Sequence, residues 1–81
     1  MAWTESGGAL VRELHTADFL TAFRVVEAIV APAEAANHHP DVSFGWGYVR
    51  ISLRTHDAGG ITAADHALAA AIDAALADRS P

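Results

Sequence analysis

Cysteine is missing from this chain altogether. That removes disulfides, a thiolate nucleophile and any cysteine-based zinc site from consideration. Lysine is missing too, so five arginines stand against ten acidic residues and the formal net charge is −5. A nucleic-acid binder needs a basic stripe, and a polybasic membrane contact needs a cationic cluster; neither is here. No apolar run approaches the length of a membrane span. Met1 to Gly8 lacks the basic-then-apolar pattern of a signal peptide, so a cytoplasmic protein is expected. No HExxH motif or His-x-x-x-His pair occurs, and there is no internal repeat or low-complexity linker. Eighty-one residues imply one domain spanning 1–81, near the size where a lone core is marginal. Hydrophobic residues make up 52%, but much of that is alanine, which buries little area. A small core with abundant apolar residues points to association, expected as a homo-oligomer.

What is present has a clear order. Trp3 to Glu5 reads as a short strand, Ser6-Gly7-Gly8 as a turn, and Ala9 to His15 as the return strand, its alternation blurred by Arg12 and Glu13. Thr16 is the expected N-cap of a helix with Asp18 in its first turn. Phe19, Phe23, Val26, Val30 and Ala33 recur at helical spacing as the expected core-facing stripe. Pro32 removes an N–H inside that pattern, so a kink or restart is expected there. Pro40 pushes His39 out of the α region and ends the segment. Val42 to Gly45 and Tyr48 to Thr55 form a second hairpin about Trp46-Gly47, with Val49, Ile51 and Leu53 on one face. A glycine loop follows, then a capping-box pattern from Thr62 to Asp65, then a last helix from Ala63 to about Asp78 striped by Leu68, Ile72, Ala75 and Leu76. The order is ββαββα: an α+β domain, a four-stranded antiparallel sheet with helices packed on one face.

Chemistry concentrates in Asn37-His38-His39-Pro40 and Thr55-His56-Asp57-Ala58-Gly59-Gly60. Imidazoles titrate near neutrality and suit general acid–base work. His38 and His39 diverge by about 100° at a helix exit, so one can face a pocket while the other supports it, or both can be solvent-exposed ends of a helix. Glu34 lies one turn before His38, an i,i+4 carboxylate placed to orient an imidazole or to form an ordinary surface pair. Asp57 could bond a substrate amino group or simply begin a turn. Trp46 could wall a flat heteroaromatic ligand or pack at a subunit contact. Asp65 reads as a helix cap. Three histidines could suit zinc, but adjacent His-His is poor chelation geometry and His66 stands alone, so no metal site is expected.

Along the chain the pattern is Glu34, three residues, His38-His39-Pro40, five residues, Trp46, nine residues, His56, eight residues, Asp65. This spacing resembles the signature of the pterin-4a-carbinolamine dehydratases. His39-Pro40-Asp41-Val42, Thr55 to Gly60 with Ile61-Thr62, and upstream Trp3 and Ala9-Leu10-Val11-Arg12 are similar to the family's usual wording. Family members usually carry a helix before the tryptophan that matches Trp3, and this sequence begins almost at that residue.

The resemblance implies dehydration of 4a-hydroxytetrahydropterin to quinonoid dihydropterin, with pterin as substrate and neither cofactor nor metal. His38, His39 and His56 would be the acid–base set, supported by Glu34, Trp46 and Asp57. It also implies a homodimer or homotetramer and leaves open a second reading, a non-catalytic dimerisation or assembly partner or a pterin-binding homologue. The intact histidine set favours the enzyme.

Overall fold

The computed structural model describes residues 3–77. In chain order the elements are β1 (Thr4–Ser6), β2 (Ala9–His15), α1 (Phe19–Ala36), β3 (Asp41–Gly45), β4 (Tyr48–Leu53), a single 3₁₀ turn (His56–Ala58) and α2 (Ala63–Ala77). The expected end of the last helix near Asp78 lies outside the described residues. The four strands form one antiparallel sheet in the order β1-β2-β4-β3, and both helices pack on one face of it.

The first hairpin turns through Gly7 and Gly8, both at positive φ (58° and 78°), as a two-residue primed turn demands. In the β2–β4 ladder Leu10 faces Leu53, Arg12 faces Ile51 and Leu14 faces Val49. Cross-strand partners share a face, so Arg12 points to the helical side among apolar neighbours. Its guanidinium reaches Asp73 of α2, whose carboxylate also accepts from the Trp3 indole at 2.9 Å. One acid on α2 thus fastens the outer part of the sheet, which explains the broken alternation in β2. Val49, Ile51 and Leu53 are fully buried, against Leu68, Ala69, Ile72 and Leu76 of α2 in one core.

Three expectations for α1 are corrected. Thr16 is not the cap: Asp18 is, its carboxylate accepting from Thr21 N at 2.8 Å, while Thr16 N donates to Gly47 O. The Thr21 hydrogen bonds hold the Asp18 carboxyl below its ordinary range. Second, the buried residues are Ala22, Ala28, Ile29 and Ala33, whereas Phe19, Phe23 and Val30 remain 54%, 46% and 54% exposed. Apolar residues surround most of this helix, so two stripes satisfy the same periodicity. The small alanines win because they let the helix backbone approach its neighbours closely; Phe19 instead stacks on Phe44 of β3 at 5.3 Å between ring centroids. Third, α1 runs through Pro32 to Ala36 as one helix, which excludes the restart. Among the described residues no helix is long and apolar enough to cross a membrane.

Candidate active site

The antiparallel pairing of β3 with β4 sets Asp41 opposite Ser52 and Gly45 opposite Tyr48. The segment entering β3 and the segment leaving β4 therefore lie at one end of the sheet. His38 and His39 precede β3 there, Thr55 and His56 follow β4, Glu34 ends α1 and Asp65 begins α2. Trp46 sits in the turn at the far end of β3, 75% exposed, a strand length or roughly 15–20 Å away. The structure does not bring it to the histidines.

The two adjacent histidines follow a backbone reversal at Asn37. This residue caps α1 in the left-handed conformation (φ 48°, ψ 42°), with its N–H on the Ala33 and Glu34 carbonyls, and His38 N–H reaches Ala33 O at 3.2 Å. Asparagine adopts this conformation more readily than most residues, and it closes the helix as glycine usually does. After the reversal His39 swings back over the last turn of α1, and its Nε2 lies 2.6 Å from Glu34 Oε2, both side chains exposed. The expected i,i+4 pair of Glu34 with His38 is thus replaced by an i,i+5 pair with His39.

His38 is directed inward to α2. Its Nε2 lies 2.6 Å from Oδ1 of Asp65, which is completely buried. The other carboxylate oxygen accepts from Thr55 Oγ1 and from Thr62 N, both at 2.8 Å. Thr55 Oγ1 also lies 2.7 Å from Thr62 Oγ1. A hydroxyl has one hydrogen; Thr55 gives its own to Asp65, so Thr62 donates to Thr55. Burial pushes the Asp65 carboxyl up, but hydrogen bonds from His38, Thr62 N–H and Thr55 outweigh it and hold the group below its ordinary range. No buried side-chain polar atom among the described residues lacks a partner.

Asp65 is therefore both the cap read from the sequence, through Thr62 N, and the partner of His38, which sequence reasoning missed. Thr55 was missed as well. The only signal was their place inside the spaced pattern, because Asp65 lies 27 residues from His38 and nothing local links them.

His56 opens the 3₁₀ turn with an exposed side chain, tied to this network through its neighbour Thr55. Asp57 is exposed in the same turn, which Gly59 closes at φ 71°. Beside the His39–Glu34 pair lies an open groove of about 180 Å³, lined by Val26, Val30, Ala33 and Val42 together with both paired residues. Pockets for whole ligands run from about 300 Å³ upward, so this groove would hold only part of a bicyclic molecule. Among the described residues no group of three or more His, Asp or Glu side chains is placed to hold a metal ion.

The chain is thus a four-stranded α+β domain that gathers histidines and carboxylates at one sheet end, with no cysteine in its sequence. The sequence narrows this class of domain: the profile of the pterin 4 alpha carbinolamine dehydratase family matches residues 1–75, and the chain belongs to that family. A Solibacter usitatus protein provisionally named pterin-4-alpha-carbinolamine dehydratase is 49% identical over 76 residues, covering 94% of this chain and 80% of its own. A Chloroflexus aggregans protein of the same provisional name is 49% identical over 72 residues, 89% of this chain and 77% of its own. Among solved structures, a transcriptional coactivator/pterin dehydratase from Brucella melitensis superposes with a TM-score of 0.81 at 29% identity, covering 91% of this chain and 81% of that one. A pterin dehydratase-like protein identified as a RuBisCO assembly factor in the alpha-carboxysome gives 0.73 at 28% identity, covering 93% and 89%.

Proposed function

We propose that this protein dehydrates 4a-hydroxytetrahydropterin to quinonoid dihydropterin and water by histidine general acid–base catalysis. It would recycle a pterin in the cytoplasm, with pterin as substrate and no added cofactor. The observation that carries the reading is the gathering of His38, His39 and His56 at one sheet end, with a carboxylate on each of the first two, in a member of this family. The reaction breaks the bond from C4a to its hydroxyl oxygen. A proton must reach that oxygen so that it leaves as water, and N5 must give one up, so proton count balances. Imidazoles do both near neutral pH. His56 and His39 are the proton-transfer partners in this reading, and His38 holds the pterin edge. Glu34 supports His39, and Asp57 is the remaining candidate for substrate contact, since Trp46 lies at the far end of β3.

The test is a dehydration assay with 4a-hydroxytetrahydropterin generated in situ and product followed by absorbance. His38→Ala, His39→Ala and His56→Ala are compared with wild type, each shown to be folded. A loss of at least about 10²-fold in one or more variants is expected. A folded wild type that gives no acceleration would sink the enzyme.

The likeness to a RuBisCO assembly factor favours one second reading, a non-catalytic assembly partner. The exposed apolar residues Phe19, Leu20, Phe23 and Val30 would serve a protein contact in either case. Homodimer or homotetramer formation through such residues fits a chain with a core this small.

A further inference from the structure

Asp65 has more partners than a helix cap requires. Capping α2 uses one oxygen, on Thr62 N at 2.8 Å. The second oxygen is spent on His38 at 2.6 Å, and the first is shared with Thr55, the residue before His56. Three donors converge on one fully buried carboxylate. Burying a charge is expensive unless each lone pair is matched, so this arrangement fixes its donors in place.

A proton count then decides the state of His38. Ionised Asp65 is acceptor-only, so His38 Nε2 must carry the hydrogen between them. In the neutral ring that leaves Nδ1 as the free acceptor. We propose that Asp65 is a positioning residue that holds neutral His38 as its Nε2–H tautomer, presents Nδ1 to the pterin, and ties the start of the His56 turn to the same carboxylate through Thr55. The proposal rests on the dehydratase reading for its ligand, but the tautomer stands on the hydrogen bonds alone.

Asp65→Asn separates this role from capping. An amide has one acceptor oxygen, and Thr62 N–H and Thr55 O–H both need it on the side away from His38. The NH₂ group is then left facing His38 Nε2, which must become an acceptor, and the ring hydrogen moves to Nδ1. The cap survives; the tautomer inverts.

The experiment is long-range ¹H–¹⁵N NMR of the His38 ring at a pH where it is neutral, assigned with His38→Gln, together with steady-state dehydration kinetics. Expected are an Nε2–H ring in wild type, an Nδ1–H ring in Asp65→Asn, and a kcat/KM lowered about 10- to 100-fold, because His38 holds the pterin edge. Thr55→Ser should keep the hydroxyl bond and wild-type kcat/KM, and Thr55→Val should lower it. An Nδ1–H ring in wild type overturns the proposal whether or not Asp65→Asn folds. So does a folded Asp65→Asn with an unchanged tautomer or an unchanged kcat/KM. If wild type has no dehydratase activity, the functional reading falls, and the two tautomers still decide for or against Asp65.

Discussion

Asp65 carries its charge where no water reaches it, and acid should expose that dependence. Its folded-state carboxyl titrates below the ordinary value, so folding binds fewer protons than the unfolded chain in that range. The contribution is therefore fully present above the unfolded value of about 4 and is lost as pH falls through the lower folded value. Asp18 acts in the same direction through its bonds to Thr21. Urea midpoints measured from about pH 6 down to pH 2 should fall below about pH 4. The fall should be shallower in Asp65→Asn, which has no carboxyl to titrate. Equal slopes for the two proteins would show that Asp65 is not held ionised by its partners. At this scale the sequence was half legible. Thr62 and Asp65 lie three residues apart, and their bond could be read directly. His38 and Asp65 meet only because α1 and α2 pack together, and one left-handed residue redirects His38.

At the scale of the element, α1 is where pattern and packing part. Strands were legible because Val49, Ile51 and Leu53 alternate cleanly and their glycine turns leave few options. The helix was not, because its phenylalanines outweigh its alanines on any hydrophobicity scale while its alanines make the close contact. Pro32 tests how the helix tolerates a missing donor. It sits inside α1, four residues after Ala28, whose carbonyl would take an N–H from any other residue at that position. Pro32→Ala should restore that bond. Helix propensity favours alanine by about 3 kcal/mol, and the lost stiffening of the unfolded chain returns up to about 1 kcal/mol of it. A net gain of about 2 kcal/mol in urea unfolding is expected from that difference. A loss of stability would mean that the ring packs usefully against its half-buried surroundings.

For the molecule as a whole, the apolar residues that α1 leaves outside are the feature to probe. Phe19, Leu20 and Phe23 lie within about one turn of each other and are all near half exposed or more. Self-association through them predicts that Phe19→Ser with Phe23→Ser lowers the mass seen by size-exclusion light scattering to that of one chain, with the fold retained by circular dichroism. A wild type that is already monomeric would remove homo-oligomerisation from the proposal.

Asn37 is the one non-glycine residue at positive φ among those described. Through it, His38 answers to α2 by way of Asp65, and His39 answers to α1 by way of Glu34. Two neighbours in the chain are thereby mounted on different helices, like the jaws of a caliper. Any slide of one helix along the other registers as a change in the gap between two imidazoles.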